Sequence, residues 1–182
     1  MLEGGTKQIM FDVTSLTCVG WPGRDRVAVE RHMEELEKIG VPRPSKIPML
    51  IPVSKYLLTQ EETVKIQARQ NSGEVEYVIL VGRDGICITI GSDHTSRELE
   101  RLSIEKSKQA CPKMITKQVW SYEDVRHHWD EIVLRSHVMK KERRILYQEA
   151  RLDGIIDVNT LVSLEGRKCP REVNREEILC AT

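Results

Sequence analysis

The apolar residues of this chain fall mostly into short runs and strict alternations, a pattern that predicts strands rather than long helices. Most of these runs are separated by turn residues such as Gly, Pro, Asn and Asp, or by charged residues. The predicted strands cover residues 8–14, 47–53, 63–70, 74–81, 86–90, 116–120, 131–139, 143–150 and 176–180.

Helical periodicity is clear in only two segments. In residues 25–39, apolar side chains recur at steps of three and four, and Gly40 supplies a stop signal. Residues 95–110 begin with a hydroxyl residue that can cap a helix and end before a proline. Shorter helices are predicted at residues 122–128 and 159–164. Many strands with two main helices indicate a β-rich α+β domain rather than a doubly wound α/β fold.

Length and charge exclude several classes of function. The 182 residues fit a single domain, residues 1–182. Lys plus Arg and Asp plus Glu both number 28, so the chain has no basic field to attract nucleic acid. No apolar run approaches the roughly 18 residues of a membrane span, and no signal peptide begins the chain. We therefore expect a cytoplasmic protein that binds neither nucleic acid nor membrane. Its five cysteines, which lack zinc-like spacing, are predicted to be reduced thiols.

The most informative motif is a pair of acids, Glu74 and Glu76, inside a predicted strand. The two-residue period of a strand places both carboxylates on one face. A turn centred on Asp84 would return the chain with Glu74 opposite His94. On such a regular ladder Asp93 would face the other side, so it is predicted to join the two acids only if the strand breaks near Gly91.

Three clustered carboxylates favour a hard divalent cation such as Mg²⁺, with Mn²⁺ or Ca²⁺ also possible. Their mutual repulsion would otherwise raise their pKa values in a low-dielectric site. The alternative is that Glu74 and Glu76 merely form the solvated face of an antiparallel strand.

Further polar pairs lie on the predicted helices. His32 and Glu35 share a face and could form an imidazole and carboxylate dyad that activates water, or could be an ordinary polar flank. Arg97, near the start of the second helix, could attract an anionic substrate group or pair with Glu100. Lys108 by itself is an ordinary lysine near a helix end.

Three segments taken together resemble the fumarylacetoacetate hydrolase superfamily, and the resemblance extends over most of the chain. Members carry Glu-x-Glu, Asn-Asp-x-Thr-x-Arg-Asp and Lys-Ser-x-Asp segments in this order. The chain also resembles a less characterised branch with Gly-Trp-x-Gly-Arg-Asp and Gly-Ser-Asp-His-Thr motifs. The matching segments here are Ser72-Gly73-Glu74-Val75-Glu76, Gly91-Ser92-Asp93-His94-Thr95-Ser96-Arg97-Glu98, Ser107-Lys108-Gln109-Ala110-Cys111-Pro112 and Gly20-Trp21-Pro22-Gly23-Arg24-Asp25.

The resemblance implies curled mixed β-sheets like those of the superfamily's C-terminal catalytic fold. It also implies a Mg²⁺-dependent hydrolase or lyase that cleaves a carbon–carbon bond in an acylpyruvate or oxaloacetate type of oxo-acid through a metal-bound enolate. The implied roles are metal ligation by Glu74, Glu76 and Asp93, catalysis by His32, Glu35 and Lys108, and substrate binding by Arg97 and Thr182.

The resemblance is incomplete at the C-terminal end. Ala181 stands where the superfamily usually has Gly, and the usual last strand is missing, which leads us to expect a domain that lacks its C-terminal end. An alternative is therefore a catalytically silent homologue that binds metal or ligand. We also expect a homodimer, because the superfamily commonly dimerises and a cut-off C-terminal edge would leave strand groups unpaired.

Overall fold

The computed structural model describes residues 8–66, 69–164 and 176–181. Its strands are β1 (Val13–Gly20), β2 (Met49–Val53), β3 (Leu58–Thr59), β4 (Asn71–Gly82), β5 (Gly85–Ser96), β6 (Lys113–Ile115), β7 (Trp120–Ser121), β8 (Val133–Lys140), β9 (Arg143–Arg151) and β10 (Glu176–Ala181). Its α-helices are α1 (Arg26–Lys38), α2 (Arg97–Glu100), α3 (Ile104–Gln109), α4 (Tyr122–Val125) and α5 (Val158–Leu164). This strand-rich α+β architecture confirms the predicted fold class.

In the described part of the chain, eight of the strands form one mixed sheet in the order β2-β1-β10-β4-β5-β6-β3, with β7 on β5. Strand β10 runs parallel to β1 and antiparallel to β4. The expectation of an unpaired C-terminal edge is therefore wrong, because β10 is hydrogen-bonded on both sides. Strands β8 and β9 form a separate two-stranded sheet.

The two faces of β4 build two separate cores. Tyr77 and Ile79 point to one side, where they pack with Trp129 and residues of α5. Val78 and Leu80 point to the other, where they pack with residues of β1, β2 and α3. Because β4 is buried on both faces over its second half, its sequence becomes a continuous apolar run there.

Several predicted boundaries are wrong. Strand β1 begins at Val13 rather than residue 8, residues 63–66 contain no strand, and residues 116–119 form a link between β6 and β7. The helix predicted at residues 95–110 is two short helices, because β5 continues to Ser96. Ser96 then caps α2 and Ser103 caps α3, so local side-chain hydrogen bonds start each helix separately.

Helix α1, with 13 residues, is the longest helix in the described part of the chain. The carboxylate of Asp25 accepts hydrogen bonds from the backbone N–H groups of Val27 and Ala28, at 2.9 and 3.2 Å. Val29 and Met33 are its buried residues. The helix therefore has one face against the protein and one exposed face, which carries His32 and Glu35. No helix within the described ranges is long and apolar enough to cross a membrane.

Candidate active site

Glu74, Glu76 and Asp93 lie on the same face of the β4–β5 hairpin. The register pairs Glu74 with Asp93 and Glu76 with Gly91 over an unbroken ladder that ends at Gly82 and Gly85. The predicted register is thus wrong by one residue, because the loop holds two residues, Arg83 and Asp84, instead of centring on Asp84. This shift brings Asp93 to the carboxylate face without the predicted break.

Two lysines neutralise Asp93. Its carboxylate is fully buried and accepts a hydrogen bond from the Lys108 ammonium, and the Lys113 ammonium lies 2.8 Å from its other oxygen. Burial alone would raise the pKa of Asp93, but the two ammonium groups hold it below its ordinary value. Asp93 is therefore an anion in the folded protein.

Lys113 is held in place chiefly by the backbone. Its ammonium donates to the carbonyl oxygens of His94, Lys108 and Cys111, at 2.9, 2.6 and 3.0 Å. These three bonds use all three ammonium protons, so Asp93 receives charge from Lys113 rather than a further hydrogen bond. Lys113 ties the end of α3 to β5, which is a structural role that no sequence motif signals.

Glu76 differs from its neighbours because its carboxylate has no hydrogen-bond partner. Only 1% of the residue is exposed, and both carboxylate oxygens are buried and unsatisfied. Burial, and then the negative charge of Asp93, raise the pKa of Glu76 well above its ordinary value. A buried acid without a partner is costly and uncommon, and it marks a position suited to a cation.

Glu74 sits at the edge of this cluster and is held by Arg97. The Arg97 guanidinium donates to Glu74 and, at 2.8 and 2.9 Å, to both carboxylate oxygens of Glu100. The structure therefore shows the ion pair with Glu100 that we considered as the alternative for Arg97. Burial would lower the pKa of Arg97, but the two carboxylates raise it above its ordinary value.

His32 and Glu35 share one face of α1, as their spacing predicts, and this face is exposed. The Nδ1 atom of His32 is 3.6 Å from a carboxylate oxygen of Glu35, and both side chains are more than half exposed. Nδ1 is thus the ring nitrogen that lies next to the carboxylate.

A cavity of about 520 Å³ brings part of the predicted site together. His32, Glu74, Arg97 and Lys108 line it, while Glu76 and Asp93 are among the buried polar residues and are not on its wall. Lys108 contacts Asp93 and lies 4.0 Å from Glu74, so it links the cavity to the buried acids. Burial would lower the pKa of Lys108, but Asp93, Glu76 and Glu74 raise it, so the side chain is a cation.

The chemistry of these residues, rather than their present positions, suits the divalent ion that the resemblance implies. Among residues 8–66, 69–164 and 176–181, no group of three His, Cys, Asp or Glu side chains converges to hold a metal as the side chains stand. The chemistry does fit, because three carboxylates share one face and Glu76 presents two buried oxygens without partners. Glu74, Glu76 and Asp93 thus supply, on one face, the hard oxygen donors that such an ion prefers.

Some residues of the site could not be found from the sequence. Glu100 and Trp21 line the cavity although neither was assigned a catalytic or binding role. The branch motif at residues 20–25 was the only signal for Trp21. Thr182, the second predicted substrate-binding residue, lies outside the described residues.

Residues 19–182 match the model of a family described as "Protein of unknown function (DUF2848)". The chain belongs to that family. No curated protein matches the sequence. The matched range of this DUF2848 member, residues 19–182, includes every residue that lines the candidate site.

Solved structures show what fold this DUF2848 member has. It is similar to Cg1458, with a TM-score of 0.67 and 13% identity over 94% of this chain and 66% of that one. A fumarylacetoacetate hydrolase family protein from Yersinia pestis CO92 gives 0.65 and 18%, over 96% and 83%. A 2-hydroxyhepta-2,4-diene-1,7-dioate isomerase from Mycobacterium marinum gives 0.62 and 14%, over 94% and 64%. The fold is thus that of fumarylacetoacetate hydrolase family proteins, and the chain spans about two thirds of the length of Cg1458.

Proposed function

We propose that this protein is a divalent-metal-dependent enzyme that cleaves a carbon–carbon bond in a small oxo-acid of the acylpyruvate or oxaloacetate type. The observation that carries the proposal is the Glu76 carboxylate, which is buried without a partner beside two other acids. Such a buried group without a partner is costly to the fold, and the three acids on this face equip it to bind a cation.

Glu74, Glu76 and Asp93 would hold Mg²⁺, or Mn²⁺ or Ca²⁺, through their oxygens. When bound, the ion would supply Lewis-acid polarisation of the oxo-acid oxygens. Lys108 adds a fixed positive charge beside the same acids, and its ammonium can donate a hydrogen bond to negative charge that develops on a substrate oxygen in the cavity. Arg97, tied to Glu74 and Glu100, would act mainly as a positioning residue for Glu74.

His32 is the candidate general base. With Nδ1 next to Glu35, Nε2 is the ring nitrogen that would take a proton from water at the cavity. For an acylpyruvate, the hydroxide so formed adds to the acyl carbonyl, the carbon–carbon bond breaks, and the released enolate takes the proton back from the imidazole to give a pyruvate-type acid and a carboxylic acid. For oxaloacetate, the carbon–carbon bond breaks with release of carbon dioxide and without addition of water, and the enolate is then protonated to pyruvate. In this scheme Glu35 orients the imidazole.

The names of the structural neighbours do not indicate a single type of reaction. One is named for a hydrolase family and another is named as an isomerase of an unsaturated diacid. We propose bond cleavage because the His32–Glu35 pair provides a base for water at the cavity wall.

A second candidate is a catalytically silent protein that binds a ligand or metal. The position of Lys108 favours it, because an internal ammonium between Glu74 and Asp93 already supplies part of the charge that a metal would bring. In that case a small oxo-acid would bind without being converted.

Turnover assays can separate the two candidates. Purified protein would be given oxaloacetate or acetylpyruvate with Mg²⁺, Mn²⁺ or EDTA, and pyruvate release would be followed. We expect release that requires the metal and falls at least about hundredfold in Glu76→Ala, because an interaction used in the transition state is lost. Glu149→Ala, which changes an exposed acid of β9, is the matched control. Metal binding without any release would support the silent candidate instead.

We also propose that the protein acts as a cytoplasmic homodimer. Strands β8 and β9 form a separate sheet whose exposed apolar side chains include Met139, Leu146 and Tyr147. A two-stranded sheet with exposed apolar residues is stabilised when another surface covers it. Sedimentation velocity at several concentrations tests this, and a monomer at tens of micromolar would contradict it.

A further inference from the structure

We propose that Trp21 forms the apolar wall of a specificity pocket, and that the oxo-acid carries an extended apolar group which packs against this indole. The inference rests on the proposed function and narrows its substrate class. It gives a role to the motif at residues 20–25, which the mechanism above does not use.

The backbone of Trp21 is held in an unusual conformation. Its φ angle is +54°, in the left-handed region, where a bulky residue is a clear exception. Such conformations persist when the surrounding structure fixes them, and they concentrate at functional sites. The conformation turns the chain sharply between the end of β1 and the start of α1.

Hydrogen bonds on the C-terminal side of Trp21 fix this turn. The backbone N–H of Ile156 donates to the Pro22 carbonyl at 2.7 Å, and the Arg24 N–H donates to the Gly154 carbonyl at 2.9 Å. The Arg24 guanidinium also makes a two-pronged ion pair with Asp130. These contacts pin residues 22–24 to the segment around residue 155, so the position of Trp21 is fixed before any ligand arrives.

The cavity wall combines charged residues with apolar residues from other elements. Glu74, Arg97 and Lys108 supply charged groups for the oxo-acid end. Most of the remaining wall is apolar and comes from other elements, including Trp21, Leu36, Ile39, Leu134, Leu152 and Ile155. Binding sites for small molecules commonly combine an apolar lining with a few convergent polar groups, and an all-polar substrate such as oxaloacetate would leave this lining unused.

The sheet register shows how the acidic end of the cavity and Trp21 are separated. Val19 of β1 pairs with Ala181 of β10, which pairs with Tyr77 of β4. Strands β1 and β4 are therefore two strand spacings apart, or about 10 Å. Glu74 and Trp21 therefore come from separate strands on the cavity wall, and a ligand held at the acidic end needs an added group to contact the indole.

The test measures binding of straight-chain 2-oxo acids from pyruvate to 2-oxooctanoate by calorimetry, with Mg²⁺ present. Burial of each added methylene group is worth up to about fourfold in affinity. We expect at least about thirtyfold tighter binding of 2-oxooctanoate than of pyruvate.

Two variants assign the preference to the indole. Trp21→Gly removes the ring, and glycine adopts a positive φ without steric cost, so this variant should fold. We expect it to reduce the ratio of the two affinities at least about tenfold, and Trp21→Phe to restore most of the ratio. Trp120→Ala, at an exposed position of β7 away from the cavity wall, should leave the ratio as it is.

Equal affinity along the series, or an unaltered ratio in Trp21→Gly, would overturn the inference while leaving the proposed function standing. Failure of every acid, including pyruvate, to bind with Mg²⁺ would overturn the proposed function and this inference with it.

Discussion

Glu74 and Asp93 lie directly opposite each other on neighbouring strands, and the ammonium of Lys108 reaches both carboxylates. The adjacent Glu76 is buried on the same face and receives no such hydrogen bond. Glu74 and Asp93 thus have a cationic partner, whereas the Glu76 carboxylate has no hydrogen-bond partner. This asymmetry is the physical basis of the predictions that follow.

Glu76 should reduce the stability of the metal-free protein. We expect Glu76→Met, which replaces the acid by an apolar group of similar size, to raise the free energy of unfolding by about 1–3 kcal/mol in EDTA, because an unsatisfied buried group is removed. Urea unfolding measures this.

The same variant should lose its response to metal. Mg²⁺ should raise the melting temperature of the parent protein but not that of Glu76→Met, because a ligand stabilises only a protein that binds it in the folded state. Equal stabilisation of both proteins by Mg²⁺ would contradict a role for Glu76 in metal binding.

Lys113 should be far more important for folding than its sequence context suggests. Replacing it by Met leaves Asp93 without one of its two cations and removes the ammonium that donates to three carbonyl oxygens. We expect a loss of about 3–5 kcal/mol in unfolding free energy. The control is Lys117→Met, at an exposed position, which should cost less than about 0.5 kcal/mol. Similar costs for both variants would refute this account of Lys113.

Gly91 should not tolerate a methyl group. An added Cβ would lie 2.6 Å from Val78 and 2.7 Å from the backbone oxygen of Met114, and that oxygen cannot rotate away. We expect Gly91→Ala to cost about 1–3 kcal/mol. Gly154→Ala is the comparison, because no atom lies within 4 Å of its added Cβ. Thermal melts of the two variants should differ, and indistinguishable melts would disprove the close approach at Gly91.

Asp157 should make stability depend on acid pH. Its carboxylate accepts hydrogen bonds from the backbone N–H and hydroxyl of Thr160, at 3.0 and 2.6 Å. Burial would raise the pKa of Asp157, but these bonds hold it below its ordinary value. Its contribution is therefore full above the unfolded pKa of about 3.9 and is lost as the pH falls through the lower folded value.

The Asp157→Asn variant isolates this contribution. The stability difference between the parent and the variant should be constant from pH 6 to 8 and should shrink below about pH 4. A difference that grows on acidification would show that the sign is wrong.

The sequence was sufficient for the parts of the fold that depend on local periodicity. The two-residue period placed Glu74 and Glu76 together, and the spacing on α1 placed His32 beside Glu35. The β4–β5 register was missed by one residue because a two-residue loop and a turn centred on one residue differ little in sequence but reverse the face of every side chain on the returning strand.

Long-range pairing was the part that local patterns could not supply. Strand β10 inserts between β1 and β4, so its position depends on residues about 100 and 160 positions away in the chain. The role of Lys113 likewise arises from tertiary contacts. A lysine after a proline carries no signal of such burial.

The central claim is that Glu74, Glu76 and Asp93 form a site for a divalent cation. The most direct test is a crystal soaked with Mn²⁺ and oxalate, a stable mimic of a pyruvate enolate, with anomalous diffraction data collected. The account predicts an anomalous peak within about 2.0–2.6 Å of carboxylate oxygens from all three residues, with oxalate completing the coordination. A peak elsewhere, or a carboxylate cluster without a peak at saturating Mn²⁺, would contradict it.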